Sequence, residues 1–410
     1  MGMQDPLQMR AGLLATKRAA ATTVGTITLD SYTRTGDFAE AHRSVAAGLE
    51  LNGYPLVSLG PDVTRRVLRG VADPSFPVQV RHGSADPERI FTALAQTGLA
   101  ATEGGPVSYC LPYSRTPLRT AVGAWRRCCR MLAERREQGV EPHLETFGGC
   151  LMGQLCPPGL LVAMSVLEGM FFREQGLRSI SLSYTQQANS RQDEEAVAAL
   201  RRIASELLPD VEWHVVVYAY MGVFPRTPAG ARLLLEDAAR LCVRTGAARL
   251  IVKTTAEAYR IPTIAENVRA LEQAAAAAAG AGCRLPEATV PDTGIEAEAR
   301  ALIDAVLDLR TDLGDALVDA FHKGYLDIPY CLHPDNGGRS RGRLDQDGRL
   351  HWSAVGSMPV PASAVDRHAD PGSAELLAAL SFVRRTYDRR AAATLKHSPT
   401  GEGHQGGTQL

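Results

Sequence analysis

Short apolar runs alternate with stretches of helical periodicity over much of the chain. Eight runs rich in β-branched and apolar residues cover residues 26–32, 55–60, 77–82, 100–103, 143–147, 179–184, 213–218 and 249–253. Between most of them, apolar residues recur at helical spacing, as in residues 87–98, 118–138, 159–175, 193–208 and 230–245. Strands that alternate with helices of this length are typical of parallel βαβ units with right-handed crossovers.

The number of these units predicts the fold class. Eight units in about 250 residues match an α/β fold of the (β/α)8 TIM barrel type. The competing fold is a doubly wound open sheet, but no G-x-G-x-x-G or Walker A sequence follows any run. We predict a barrel over residues 1–275, a helical and loop extension over 276–396, and a disordered tail over 397–410.

Composition narrows the class of protein. The 410 residues are 45% hydrophobic, and 44 Lys+Arg balance 45 Asp+Glu. This hydrophobic fraction supports a folded core, and the near-zero net charge argues against duplex nucleic acid as a partner. The N-terminal residues contain no apolar signal region, and the most apolar stretch, 155–172, contains two prolines and Glu168. We therefore expect a soluble, cytoplasmic protein.

Eight cysteines raise the question of disulfides or a metal site. They form no C-x-x-C pair, and no histidine run has zinc-ligand spacing. We therefore predict buried reduced thiols and no metal site.

Charged residues lie where several predicted strands end, which is the active-site end of a barrel. They include Arg34, Arg81, Glu103 and Lys253. Arginine binds carboxylates through two parallel hydrogen bonds, so this set suits an anion that also carries a cationic group, such as an α-amino dicarboxylate. Arg81 interrupts an apolar strand, where an unpaired charge is costly. The alternatives are that Glu103 flanks a turn and that Lys253 forms a surface ion pair with Glu257.

Several longer motifs are more specific in combination. The chain contains RAGLL, LDSYTR, LNGYP, VRHGSADP and EGGPVSYCLPY, followed by FGGCLMGQLCPP, YMGVFP, IVKTTAEAYRIPT and LDIPY. Over residues 10–361 it resembles the large (E, or epsilon) subunit of coenzyme B12-dependent glutamate mutase, also called methylaspartate mutase. Two features depart from that family: SYTQQANSRQD replaces a glycine-rich stretch, and the loop 332–343 diverges.

The resemblance implies roles for individual residues. Substrate contacts would be Arg10, Arg34, Arg81, His82, Glu103, Tyr109 and Tyr113. Coenzyme contacts would be Gly12, Asn52, Pro112, Phe224, Lys253, Glu257 and Ile261. Glu103 would be the catalytic residue that accepts a proton from the amino group, while the arginines and Tyr109 hold the two carboxylates. Lys253 and Glu257 would bind the ribose hydroxyls of the adenosyl group.

The resemblance also implies an activity and partners. The family interconverts L-glutamate and (2S,3S)-3-methylaspartate by a radical carbon-skeleton rearrangement that needs adenosylcobalamin. The cobalt-ligating D-x-H-x-x-G motif is absent from this chain, so a small cobalamin-binding subunit would supply that histidine, in a heterotetramer containing a dimer of this chain. Two alternatives remain: a related mutase that acts on a different amino acid, which the changed loops suggest, or a non-catalytic barrel partner.

Overall fold

The computed structural model describes residues 1–151, 155–286, 289–361, 364–365 and 372–397. Residues 398–410, nearly all of the predicted disordered tail, lie outside the described residues, as do residues 152–154 of the FGGCLMGQLCPP motif.

A parallel sheet of seven strands forms the centre of the described chain. Its strands are β1 (Gly25–Thr28), β2 (Val78–Arg81), β3 (Ala101–Gly104), β4 (His143–Thr146), β5 (Ser179–Thr185), β6 (Glu212–Tyr218) and β7 (Arg249–Ile251). They lie side by side in chain order, without the reversal of order that defines a doubly wound sheet. Arg249 on β7 reaches Gln79 on β2, with Nη1 3.0 Å from Oε1. This contact between distant strands shows that the sheet is curled into a half-barrel.

Helices precede the first strand, separate most of the others and follow the last, on the outer side of the sheet. They are α1 (Pro6–Lys17), α2 (Ser31–Thr35), α3 (Phe38–Ala46), α4 (Leu56–Leu59), α5 (Pro61–Leu68), α6 (Glu88–Thr97), α7 (Leu118–Ala133), α8 (Pro158–Glu174), α9 (Ser190–Leu207), α10 (Pro228–Thr245) and α11 (Ile264–Ala279). The five helices predicted from periodicity are thus confirmed as α6 to α10. Helix α8 is buried over most of its length because it packs between β5 and α9. No helix in the described ranges combines the length and the apolar character that a membrane crossing requires.

The prediction of a closed eight-stranded barrel is confirmed only in part. The run 55–60, predicted as a strand, contains the short helix α4 instead. A four-residue apolar run cannot be assigned by periodicity alone, because it fits a buried helical turn as well as a strand. The outer edge of β1 is paired with isolated residues, since the Tyr54 N–H donates to the Thr28 carbonyl and the Thr28 N–H donates to the Met1 carbonyl.

The C-terminal part packs on the helices of the half-barrel. It comprises α12 (Ile295–Leu307), α13 (Leu313–Lys323), the hairpin of β8 (Ser340–Leu344) and β9 (Leu350–Val355), α14 (Ser373–Leu380) and α15 (Phe382–His397). Helix α12 contacts α8 and α9, α13 contacts α7, and α15 contacts α10. The predicted boundary at residue 275 falls inside α11, which packs on α1 and α10.

The cysteines match their prediction. All eight lie within the described residues and are unpaired thiols, and each is buried except Cys283. The prediction of reduced thiols is therefore confirmed, and it fails in burial for Cys283 alone.

Candidate active site

Strand ends bring a buried ion pair to one edge of the sheet. Arg81 ends β2 and Glu103 lies in the neighbouring β3, so parallel strands place both side chains at the carboxyl edge. Arg81 Nε lies 2.8 Å from Glu103 Oε1, and the Glu103 side chain is 1% exposed. A buried carboxylate is tolerated only when it is paired and hydrogen-bonded, and this one meets both conditions.

Two tyrosines complete the surroundings of Glu103. The Tyr109 hydroxyl donates to Oε1, and the hydroxyl of Tyr218, which ends β6, lies 2.7 Å from Oε2. Gly104 has φ 135°, and a Cβ at this position would lie 2.5 Å from the Tyr109 ring. Glycine therefore allows the chain to turn so that Tyr109 covers Glu103. The Arg81 guanidinium lies 5.1 Å from the centroid of the Tyr218 ring, and its Nη atoms donate to no side chain or carbonyl in the described ranges.

His82 adds a neutral hydrogen-bond donor next to this pair. Its ring stacks on Trp125 at 5.7 Å and meets the Tyr109 ring edge-on at 5.2 Å. Burial lowers the pKa of His82 to about 3, and the charge of Arg34 acts in the same direction. Because Nδ1 accepts from the Ser84 N–H, the proton of the neutral ring is on Nε2. This buried Nε2 has no hydrogen-bond partner within the part of the chain that the structure describes.

A cavity of about 1000 Å³ opens beside the buried pair. Arg34, Pro112 and Tyr113 line it, together with residues 330–333 of the C-terminal part. The Arg34 guanidinium forms no hydrogen bond or ion pair with any described residue. The Tyr113 ring lies 6.1 Å from the Tyr109 ring, so the cavity adjoins the Glu103 cluster. Its volume is in the range of pockets that enclose small ligands.

Three of the predicted coenzyme contacts lie together after β6 and β7. Lys253 forms an ion pair with Glu257, and its Nζ lies 5.5 Å from the centroid of the Phe224 ring. Ile261, farther along the same segment, is 64% exposed. A cation, a carboxylate and the exposed Ile261 thus lie at the edge of the sheet where the strands end, and the Phe224 ring beside Lys253 is buried.

The remaining predicted residues lie near β1 and in α1. The Asn52 Oδ1 accepts from the Ser31 N–H at 2.9 Å. Gly12 is buried in α1, where the Met1 sulfur would lie 3.3 Å from an added Cβ. Arg10, also in α1, is not brought to the Glu103 cluster, because its Nη1 donates to the carbonyl oxygens of Val67 and Arg69 at 2.8 and 2.7 Å.

Replacing Arg10 by methionine is expected to destabilise the fold. Its guanidinium caps carbonyl groups at the C-terminal end of α5, where a cation is favourable, and the loss should cost about 1–2 kcal/mol. Urea unfolding measures this cost. Calorimetric titration of the Arg10→Met variant with L-glutamate separates this structural role from the substrate contact that the family resemblance implies, because only the latter would weaken binding.

Sequence reasoning missed Glu145 and Arg249, which form an ion pair near Glu103 in the interior of the half-barrel. Arg249 Nη2 lies 2.6 Å from Glu145 Oε2, and Glu145 is fully buried. A usable signal was present for Arg249, which begins the otherwise apolar strand RLI, and this is the argument that identified Arg81. Glu145 lies in the mostly polar strand HLET, which gives no such signal.

Glu168 is a third residue near the site that sequence reasoning missed. It lies fully buried in α8 and accepts from the N–H and the hydroxyl of Ser108, each at 2.9 Å. It also accepts from the main-chain N–H groups of Val107 and Phe147, both at 3.3 Å. Glu168 thus ties the loop that carries Tyr109 to the end of β4. Burial raises the pKa of its carboxyl group to about 7, although these hydrogen bonds oppose the rise.

This raised pKa predicts how stability depends on pH. The folded protein holds the Glu168 proton to about pH 7, whereas the ordinary pKa is 4.5, so the group stabilises the fold below pH 4.5 and this contribution is lost as pH rises to 7. The loss is about 3 kcal/mol by the usual conversion of pKa differences. Glu168→Gln should lack it, so urea unfolding of the two proteins at several pH values should show a shallower decline for the variant. Parallel declines would contradict the prediction.

Comparison with known proteins identifies the family of the whole chain. A sequence model of the methylaspartate mutase E chain (MutE) matches residues 1–372. The glutamate mutase epsilon subunit of Halobacterium salinarum is 33% identical over 85% of this chain and 76% of its own length. The proteins of the same name from Escherichia coli O157:H7 and Yersinia enterocolitica are 31% and 32% identical over 84% of this chain and 74% of theirs. The chain therefore belongs to the methylaspartate mutase E chain family.

Proposed function

We propose that this chain is the catalytic subunit of an adenosylcobalamin-dependent glutamate mutase, an isomerase that converts L-glutamate to (2S,3S)-3-methylaspartate. The observation that carries the proposal is the buried Arg81–Glu103 pair beside unpartnered donors on Arg34 and His82. L-Glutamate presents two carboxylates and one ammonium group, which this set of charges matches. The names of the related proteins support the same activity.

The two carboxylates of glutamate would bind the unpartnered donors. The Nη atoms of Arg81 offer the planar fork that a carboxylate accepts from, and Arg34 offers a second fork at the cavity wall. The Nε2–H of His82 would donate to one of these groups without carrying charge. Anchoring both carboxylates keeps two fragments in register while a carbon–carbon bond breaks and reforms. A role for Arg10 in substrate binding stays a prediction.

The ammonium group would lie against Glu103. This carboxyl group is held by Arg81, Tyr109 and Tyr218, so its orientation is fixed before the substrate arrives. Fixed acceptors lower the barrier to proton transfer because they need no rearrangement. Glu103 would take a proton from the amino group as the carbon skeleton fragments, with Tyr113 at the cavity side of the same group.

The residues after β7 fit the adenosyl part of the coenzyme. Lys253 offers donors and Glu257 offers acceptors for two neighbouring ribose hydroxyls, and the exposed Ile261 offers an apolar contact. A coenzyme contact from Phe224, which is buried next to Lys253, stays a prediction. Adenosylcobalamin, when bound, would supply the carbon radical that abstracts hydrogen from the substrate. Contacts from Gly12, Asn52 and Pro112 to the coenzyme stay predictions.

A partner would hold the cobalamin. The related proteins are named as subunits, which supports assembly with another chain. We propose a small cobalamin-binding subunit that carries the D-x-H-x-x-G histidine, in a heterotetramer with a dimer of this chain. The cytoplasmic location also stays a prediction.

Reconstitution tests the proposed function. The purified chain is mixed with a cognate small subunit, adenosylcobalamin and L-glutamate, and 3-methylaspartate is measured by chromatography. Product should form together with a cobalt-coupled organic radical in the electron paramagnetic resonance spectrum, and both should be absent without the small subunit. A small subunit that supports turnover with a related epsilon chain but gives no product with this one would overturn the proposal.

A further inference from the structure

Tyr218 connects Glu103 to a second buried carboxyl group, that of Glu145. Its hydroxyl oxygen lies 2.7 Å from Glu103 Oε2 and also contacts Glu145 Oε1. The three side chains come from β6, β3 and β4 and are at most 2% exposed. They therefore form one continuous hydrogen-bonded triad, Glu103–Tyr218–Glu145, inside the half-barrel.

The number of hydrogen atoms available to the Glu103–Tyr218–Glu145 triad limits its protonation states. A phenol hydroxyl carries one hydrogen, so Tyr218 can donate to only one of the two carboxyl groups. The other oxygen–oxygen contact then needs a hydrogen on the carboxyl group, since a buried contact between two unprotonated oxygens is repulsive. Both contacts are satisfied when one of Glu103 and Glu145 is protonated.

The charges around this triad agree with one protonated carboxyl group within it. The ionisable groups facing it are Arg81, Arg249, His143, His214, Tyr109, Tyr113 and Cys150. Burial lowers the pKa of His143 to about 3 and also lowers that of His214, so neither imidazole is charged at neutral pH. Two guanidinium groups and a single carboxylate then leave one net positive charge, which suits a substrate carboxylate at Arg81.

Burial opposes ionisation of Glu145, but the charge of Arg249 and the hydrogen bond from Tyr218 lower its pKa on balance, so Glu145 is the carboxylate of the pair before substrate binds. Arg249 Nη2 lies 2.6 Å from Glu145 Oε2, and the Ser181 hydroxyl lies 3.1 Å from the same oxygen. These donors remain in place whether Glu145 is ionised or neutral, because its protonated oxygen would be Oε1, which faces Tyr218.

We propose that Glu103, Tyr218 and Glu145 share one proton, which moves between the two carboxyl groups through the Tyr218 hydroxyl. In this step the proton on Glu103 Oε2 binds Tyr218 Oη as the hydroxyl proton leaves for Glu145 Oε1. Glu103 becomes a carboxylate, Glu145 becomes a carboxylic acid and Tyr218 is unchanged. One part rests on the proposed function: the ammonium group of bound glutamate favours the carboxylate form of Glu103, which then accepts its proton.

Infrared spectroscopy of the substrate-free chain tests the shared proton. At about pH 8.5, carboxyl groups with a pKa near 7, namely Glu168, Asp193 and Glu298, are mostly ionised. The wild type should still show a carboxylic acid C=O band that shifts in heavy water. Tyr218→Phe and Glu145→Gln should each lose this band, because each removes the need for the extra hydrogen.

Tyr184→Phe is the matched control. The Tyr184 hydroxyl also donates to a buried carboxyl group, Asp193 Oδ1, at 2.8 Å, but none of its contacts reaches Glu103. This variant should keep the band. Addition of L-glutamate to the wild type should shift the frequency of the band without removing it, since the proton moves to Glu145.

Two results would overturn the inference: absence of the band from the wild type, or its persistence in both Tyr218→Phe and Glu145→Gln. Circular dichroism verifies that each variant folds. If only one of the two folds, the presence or absence of the band in that variant decides the test. In the reconstituted enzyme both should lower kcat about tenfold or more with little change in KM, since proton transfer is impaired and carboxylate binding is not. The infrared measurement needs no turnover, so its failure would leave the proposed function standing. A failed reconstitution would overturn the proposed function and leave the band, and the shared proton that explains it, in place.

Discussion

Replacement of Arg81 by methionine is expected to lower kcat/KM for L-glutamate by about a thousandfold or more in the reconstituted enzyme. The guanidinium pairs with Glu103 at 2.8 Å and leaves its Nη atoms for a substrate carboxylate. Truncating one partner of a buried charge pair costs about 3–5 kcal/mol, and each 1.4 kcal/mol is a factor of ten. Stability should fall too, because Glu103 is left buried without its cation.

A double variant separates the two effects. Arg81→Met with Glu103→Gln removes both charges, so its free energy of unfolding should recover much of what the single variant loses. Its activity should not recover from the level of the single variant, because neither the carboxylate anchor nor the proton acceptor is restored. Urea unfolding and turnover are measured on the same preparations.

Arg173→Met is the control for removing an arginine from an ion pair. Arg173 Nε lies 2.7 Å from Asp210 Oδ1, but the two side chains are 39% and 60% exposed. Such a pair contributes less than about 1 kcal/mol, and its loss should leave turnover unchanged. If Arg81→Met retained activity close to that of this control, Arg81 would not bind the substrate.

The fold could be predicted where short apolar runs alternate with long stretches of helical periodicity. Helices α6 to α10 and seven of the eight predicted strands follow from period and length. The run 55–60 could not be assigned, because a single turn of helix between Pro55 and Gly60 has the same apolar pattern as a short buried strand. Whether the sheet closes depends on pairing between its first and last strands, which no local pattern reports.

The site could be predicted only for residues that belong to recognisable motifs. Arg81, His82 and Glu103 lie together at adjacent strand ends, as their positions in the sequence predict, whereas Tyr109 was predicted only through the family resemblance. Tyr218 could not be found, because a tyrosine that ends an apolar strand is normally core, and its link to Glu103 spans 115 positions. Side chains that cross the interior of a curled sheet depend on strand order and curvature, which sequence spacing does not contain.

These cross-interior contacts make the active site and the core one structure. Phe147, which follows β4, packs its ring 4.9 Å from the Tyr109 ring and 5.5 Å from that of Tyr218. Glu168 binds the main chain at both Phe147 and Ser108. A shift at the end of β4 is therefore transmitted to both tyrosines that hold Glu103, so changes there should affect stability and turnover together.

Gly149→Ala is expected to cause such a shift and to destabilise the protein by about 3 kcal/mol or more, as overpacking against rigid backbone does. A Cβ at residue 149 would lie 1.8 Å from the carbonyl oxygen of Ser183 on β5. That atom belongs to the central sheet and cannot rotate away, so the end of β4 must move. The glycine N–H that donates to the Ser183 hydroxyl at 3.1 Å would move with it. Urea unfolding measures the loss, and kcat should fall because Phe147 no longer supports Tyr109.

Gly123→Ala provides a control of opposite sign. Gly123 lies inside α7, and an added Cβ would meet only the Arg127 guanidinium, at an ordinary contact distance of 3.6 Å. Alanine is favoured over glycine in a helix interior, so this variant should be more stable than the wild type by about 0.5–1 kcal/mol. Equal unfolding free energies for the two variants would show that β4 and β5 separate easily. In that case the end of β4 would be too compliant to fix the tyrosines around Glu103.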